Sequence, residues 1–318
     1  MPNLWREAAE LAQSGTGALA TVARTRGSTP VPAGAKMLVG AEGRLAGSIG
    51  GGCVEADVIA AALEAQRGRR PALVTHRLNA DLAGDLGLSC GGSLDVFVEP
   101  LVADSGYVAA LREAAAAGAG VVRTATDWSR GPLKTFEALA DTPARARAAS
   151  LTADRRFVVE RLVPAPRVLI FGAGHVGAAI ARAADAAGFR VAVVDDRPEF
   201  ADPARFPEAI AVLAASPAEA LARASLSARD AVVVATRGHR QDAEILALVA
   251  TSPAGYVGML GSKRKKIVVT KGLSRVGVPR NALARVRVPV GLDIGAVTPE
   301  EIAVSVVGEL VRFRRTEG

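Results

Sequence analysis

The stretch from Val168 to Asp195 constrains the fold of this chain more than any other. An apolar run (VLIF) is followed by GAGHVG, by a segment of helical spacing from Val176 to Ala187, and by a second apolar run (RVAVVD) ending in an acid. A strand, a crossover helix and a second strand within about thirty residues make a βαβ unit, whose strands lie parallel. In G-x-G-x-x-G, Gly172 permits a tight turn, Gly174 lets a phosphate approach the backbone, and Gly177 lets helix and sheet close up. Asp195 then stands where an acid accepts hydrogen bonds from ribose hydroxyls. Ser216-Pro217-Ala218-Glu219 and Thr298-Pro299-Glu300-Glu301 read as capping boxes with proline at the first helical position, and Ala231–Ala235 as a buried strand. Residues 164–318, opened by Pro164-Ala165-Pro166, are expected to form a doubly wound, Rossmann-like parallel-sheet domain. The competing reading is a Rossmann-like domain whose nucleotide site is degenerate or used only for packing. For His175 two readings stay open: its bulk narrows the phosphate path, or it faces solvent and meets a ligand.

The first half follows other rules. A helix is expected at Leu4–Gln13, strands at Ala18–Thr25, Lys36–Val39 and Arg44–Ser48, a helix at Cys53–Gln66, and strands at Ala72–Leu78 and Leu94–Glu99. Residues 1–103 thus read as a small mixed α/β domain. Residues 104–163, rich in Ala and Arg, carry one helical stretch at Tyr107–Ala117 and two candidate strands, and read as a connecting region of uncertain structure. The chemistry of this half concentrates in GSIGGGCVE, from Gly47 to Glu55. Ser48, Gly50, Gly51 and Gly52 place unhindered amides at a helix start, which suits an anion. Cys53 falls in the first turn, where the helix dipole lowers a thiol's pKa and makes it a better nucleophile and metal or sulfur ligand; Glu55 partly opposes that effect. Cys90, in SCGGS, has a similar setting. The plainer reading of either cysteine is a small buried hydrophobe. Lys36, with Ser28 and Thr29, could add phosphate contacts, against a plain surface role.

Composition narrows the function. The chain has 318 residues, of which 50% are apolar, enough for one large core or two ordinary ones. Its 2 cysteines exclude a disulfide scaffold, paired C-x-x-C zinc sites and four-thiolate iron–sulfur clusters. The net charge is +7, but the basic residues are spread among acids, so a phosphate-bearing small ligand or an acidic protein partner fits them as well as nucleic acid does. No apolar run reaches the roughly 18 residues of a membrane span, and the first residues lack a secretory pattern. A cytoplasmic protein with no membrane span is expected.

The first-half motifs RGSTPVPAGAKMLV (Arg26 to Val39), GSIGGGCVEADVI (Gly47 to Ile59) and LSCGGSLDVFVEP (Leu88 to Pro100) resemble the XdhC/CoxI family of molybdenum-hydroxylase accessory proteins. VLIFGAGHVG, VVDDRPEFADPARFPEA, TRGHRQDAEIL, YVGMLGSKRKK and PVGLDIGAVTPEEIAVSVVGEL resemble that family's C-terminal Rossmann domain. The resemblance covers nearly the whole chain apart from the middle stretch. It implies a chaperone, not an enzyme, that binds a molybdopterin-type molybdenum cofactor and protects it while a cysteine desulfurase supplies a sulfido ligand. The cofactor then passes to the large subunit of a molybdenum hydroxylase of the xanthine dehydrogenase, carbon monoxide dehydrogenase or aldehyde oxidoreductase type. A homodimer is implied as well. Cysteine after the glycines favours the branch whose cofactor carries a cytosine dinucleotide form. The cofactor-binding set this implies is Lys36, Ser48, Gly50, Gly51, Gly52, Cys53, Glu55 and Cys90 in the first half, and Gly172, Gly174, His175, Gly177, Asp195, His239, Ser262 and Lys263 in the second. Lys263–Lys266 also read simply as a solvated helix face.

Two other functions compete. A nicotinamide-dependent oxidoreductase would bind NAD(P) with Gly172, Gly174, Gly177 and Asp195 and use His239 or Lys263 as acid or base, but no His–acid pair of a substrate domain is evident. A nucleic-acid binder is suggested only by charge, and the chain lacks an aromatic platform.

Overall fold

The computed structural model describes residues 4–78, 91–117, 119–139 and 148–316. The chain divides into two compact units, Met1–Pro164 and Ala165–Gly318.

In the first unit, α1 (Leu4–Ser14) leads to β1 (Ala18–Arg26), β2 (Lys36–Gly40), β3 (Gly43–Gly47), α2 (Gly52–Gly68), β4 (Ala72–Arg77) and β5 (Ser93–Pro100). The strands form an antiparallel sheet in the order β3-β2-β1-β5-β4. Strand β1 is buried on both faces, and its alternation sorts the core. Ala18, Ala20 and Val22 meet Val54, Val58 and Ala62 of α2, while Leu19 turns to Ala8 and Ala12 of α1. The chain continues through α3 (Ser105–Ala116), β6 (Gly120–Ala125), β7 (Lys134–Ala138), β8 (Ala149–Leu151) and β9 (Phe157–Leu162). Asp104 caps α3 by accepting from the Tyr107 amide at 2.9 Å.

Residues 104–163 therefore do more than connect. They supply a helix and a second antiparallel sheet, ordered β7-β6-β9-β8, within the first unit. Sequence reading anticipates two strands here; four are present among the described residues. The reason is physical: β8 has 3 residues and β7 (KTFEA) is largely exposed, so neither carries a strong apolar alternation.

The second unit contains β10 (Arg167–Phe171), α4 (His175–Ala186), β11 (Arg190–Asp195), β12 (Ala211–Ala214), α5 (Pro217–Ala224) and β13 (Ala231–Val234). It closes with α6 (His239–Val249), β14 (Tyr256–Met259), α7 (Lys263–Arg275), α8 (Arg280–Ala284) and α9 (Pro299–Thr316). The strands are parallel in the order β12-β11-β10-β13-β14. Val168, Ile170, Val191 and Val193 face α4 and α9, and Leu169, Phe171, Ala192 and Val194 face the layer of α6 and α7. Helices thus cover both faces, as the near-continuous apolar runs require. The strand order reverses at β10, so a crevice opens beyond its carboxyl end, where doubly wound sheets bind ligands. Both capping boxes form: Ser216 with Glu219, and Thr298 with Glu301. Among the described residues no helix is long and apolar enough to cross a membrane.

Candidate functional site

The glycine loop between β10 and α4 has the geometry its sequence requires. Gly172 lies at φ 113°, and a Cβ there would approach the Ala235 carbonyl oxygen to 2.3 Å. A Cβ on Gly177 would stand 1.8 Å from the Gly172 oxygen, so helix and turn close only over a hydrogen atom. Around Gly174, the N-cap of α4, a Cβ would meet nothing within 4 Å. The backbone there faces open space with no side-chain cap, which leaves room for an anion at the positive end of α4. His175 is exposed and does not fill the loop. Gly172, Gly174 and Asp195 line one pocket together with Arg197, Thr236, Arg237 and Gln241.

Asp195 occupies the expected place but does not present the expected group. One carboxylate oxygen accepts from the Arg197 amide at 3.1 Å and its Nε at 2.8 Å; the other accepts from the Ala173 amide at 2.8 Å and Arg197 Nη2 at 3.0 Å. A carboxylate has about four acceptor positions, and all are taken. Burial works against the charged form, but these hydrogen bonds outweigh it and hold the carboxyl below its ordinary range. The expectation of a ribose acceptor at Asp195 is therefore corrected: the acid fixes Arg197. The guanidinium in turn lies over the Phe200 ring, 3.4 Å from its centroid, and lines the pocket beside the exposed Asp196.

Sequence reading missed Asp242, which is fully buried in α6. It accepts from Thr236 Oγ1 at 2.6 Å and pairs with Lys265 Nζ at 2.6 Å, and that ammonium also donates to the Leu260 carbonyl at 3.0 Å. One carboxylate thereby ties the TRGH loop after β13 to the segment after β14. A Thr six residues before an acid, across a glycine and a helix start, was the available signal. His239 is the first residue of α6. Ser262 caps α7 by accepting from the Lys265 amide at 3.2 Å, and Lys263 begins that helix at the wall of a separate cleft.

In the first unit, Gly50, Gly51 and Gly52 take φ values of 126°, 74° and 61° and lead into α2, with Cys53 as its second residue. Glu55 reaches back into the turn. It accepts from Ser48 Oγ at 2.6 Å and from the Ile49 amide at 3.2 Å. Chiefly the Ser48 bond, with burial opposing and the Ile49 and Gly51 amides assisting, lowers its pKa. The turn that reads as an anion cradle thus already holds an anion, its own Glu55. Cys90 lies outside the described residues.

Lys36 is drawn elsewhere. Its ammonium pairs with Glu160, donates to Thr21 Oγ1 at 2.9 Å and sits 4.4 Å from the Trp5 ring centroid. Beside it Lys134 pairs with Glu99 at 2.9 Å, and Glu99 accepts from Tyr107 Oη at 2.8 Å. Burial lowers the Lys36 pKa, although Glu160 counteracts it. A phosphate contact from Lys36 is corrected to a buried link between the two sheets of this unit, because a carboxylate 124 residues away takes the charge.

The profile of the XdhC Rossmann domain matches residues 168–310, and that of the XdhC and CoxI family matches residues 10–77. The chain is 30% identical over 316 residues to a probable xanthine dehydrogenase subunit of Bacillus subtilis, covering 93% of each. The chain belongs to the XdhC and CoxI family. It is also 26% identical over 324 residues to the molybdenum cofactor insertion chaperone PaoD of Escherichia coli, covering 97% of this chain and 87% of PaoD. It is 31% identical to the uncharacterized protein YqeB of Escherichia coli, of whose length it spans 46%. Among solved structures, one described as a xanthine dehydrogenase from Bacillus halodurans superposes with a TM-score of 0.80 at 27% identity, covering 100% of this chain and 97% of that one.

Proposed function

We propose that this XdhC and CoxI family member is a carrier for a molybdopterin-type molybdenum cofactor: it holds the anionic cofactor, shields it during sulfuration by a cysteine desulfurase, and delivers it to an apo-molybdenum hydroxylase. The observation that carries this reading is the pocket at the end of β10. Its helix N-terminus is open at Gly174, its walls carry Arg197 and Arg237 beside the exposed Asp196, and Asp195 is saturated by Arg197 and the Ala173 amide. Such a pocket favours a phosphate or pyrophosphate, and an anion there gains from both the helix end and the fixed guanidinium. NAD is disfavoured at Asp195, whose saturated carboxylate is no longer free for a ribose diol. Arg197 and the exposed Asp196 nonetheless line the same pocket, and an arginine there is the residue type that receives an NADP 2′-phosphate, so an NAD(P)-dependent oxidoreductase is the second reading. The kinship with PaoD supports a carrier rather than a catalyst.

On this reading Cys53, in the first turn of α2, is the group that meets molybdenum or its sulfur. The glycine turn leads into that helix, with Glu55 fixing the turn's shape. Equilibrium binding tests the proposal. The full chain is titrated with molybdenum cofactor released from a purified molybdenum enzyme and, separately, with NAD(H), using wild type and Cys53→Ala. Binding of the cofactor with little affinity for NAD(H) is expected. Tight NAD(H) binding with no affinity for the cofactor would overturn the carrier role.

A further inference from the structure

The pocket beneath Gly174 is not the only concavity at the carboxyl end of the parallel sheet. A cleft of about 420 Å3 opens after β14, between the start of α7, the loop 289–296 and α9. That size falls within the roughly 300–1,000 Å3 of small-ligand pockets.

The loop that forms one side of this cleft is pinned by polar groups buried in α9. Ser305 Oγ donates to the Leu292 carbonyl at 2.5 Å, and the Ser305 carbonyl accepts from the Leu292 amide at 3.1 Å. Glu309 accepts from the Gly291 amide at 2.7 Å and from Tyr256 Oη at 2.6 Å, while Arg287 and Arg312 each lie 3.1 Å from its other oxygen. Gly291 stands at φ 100°, and a Cβ there would meet Ser305 Oγ at 2.3 Å. Apolar side chains at 305 and 309 would pack a helix without the desolvation cost of polar ones. What the polar pair adds is one fixed loop shape, and the loop's Leu292 and Asp293 line the cleft.

The lining has a definite chemistry. Leu260, Val290, Leu292 and Ile302 give aliphatic walls suited to the faces of a flat ring. Asp293 and Lys263 supply opposite charges, both exposed, and Lys263 begins α7, where the helix's positive end adds to its ammonium. A carboxylate pairs well with two parallel N–H donors on a heterocycle edge. We propose that this cleft seats a pterin-like bicycle, with Asp293 on its amino-pyrimidinone edge and Lys263 on an anionic substituent. The inference rests on the carrier reading and deepens it by assigning the heterocyclic end of the cargo to a site distinct from the Gly174 phosphate pocket.

The test uses pterin-6-carboxylate, a fluorescent pterin with one anionic substituent, and the released molybdenum cofactor, each titrated into the full chain. Wild type is expected to bind both. Asp293→Asn and Lys263→Gln, exposed positions whose variants are checked for an unchanged melting temperature, should each weaken pterin-6-carboxylate binding by roughly tenfold or more. Cofactor binding that both cleft variants leave intact would overturn the cleft assignment while the carrier reading stands. Cleft-dependent binding of the pterin without binding of the cofactor would uphold the cleft and overturn the carrier. Binding of neither probe overturns both.

Discussion

Helices α2 and α4 both begin at a glycine N-cap with no side-chain cap, and they differ in backbone. At α2 the cap Gly51 has φ 74° and ψ 176°, a conformation restricted to glycine, and Glu55 folds back over the turn to take its donors. At α4 the cap Gly174 has φ −71° and ψ −173°, open to any residue, and the acid that could have filled the space is held by Arg197. Before α2 the Ser48 hydroxyl and the Ile49 amide go to Glu55; before α4 the Ala173 amide goes to Asp195, while a Cβ on Gly174 would meet nothing within 4 Å. A carboxylate of the same chain thus reaches both glycine-rich turns, and what distinguishes them is the glycine-only backbone of Gly51 against the ordinary extended backbone of Gly174.

This contrast can be broken by substitution. The largest effect is expected at Gly177, where a Cβ would collide with backbone at 1.8 Å: Gly177→Ala should cost about 3 kcal/mol in urea unfolding, at the upper end for overpacking. Asp195→Asn should cost about 2 kcal/mol, because it strips the charged partner from a largely buried guanidinium. The folded Asp195 carboxyl titrates below its unfolded value, so its stabilisation is full above the unfolded pKa of about 4 and fades as pH falls through the lowered folded value. The stability gap between wild type and Asp195→Asn should therefore narrow in acid, and a gap that widens there would break the assignment.

Smaller effects separate the two caps directly. Gly51→Ala should cost about 2 kcal/mol from backbone strain alone, whereas Gly174→Ala should change stability by less than about 0.5 kcal/mol. Equal costs at the two glycines would erase the comparison. Glu55→Gln should cost about 1 kcal/mol, since an amide keeps an acceptor but loses the charge that strengthens the bonds from Ser48 and Ile49. Thermal melts of these variants beside wild type rank the effects.

The legible parts of this protein are those whose information is local. The G-x-G-x-x-G turn, the two capping boxes and the βαβ order follow from residues within a few positions of one another, and each forms with the geometry its spacing implies. The second sheet of the first unit is harder to read because β7 and β8 are short and half-exposed, which blurs their apolar alternation. The occupants of the charged groups are not legible at all. Glu55 is visible as a first-turn acid but not as the turn's own ligand, and Lys36 as a cation but not as Glu160's partner.

By itself, the sequence determined the parallel Rossmann sheet, the positions of both glycine-rich helix starts and membership of the family whose motifs it carries. The tertiary structure alone decided which carboxylate each of those turns holds, because hydrogen bonds go to whichever acceptor the fold brings within reach. Arg197 finds Asp195 two residues away only because β11 ends and turns there, and Glu309 finds Gly291 only because α9 returns across the sheet. Backbone propensity is written over a few residues, whereas the satisfaction of a buried charge depends on every element packed around it.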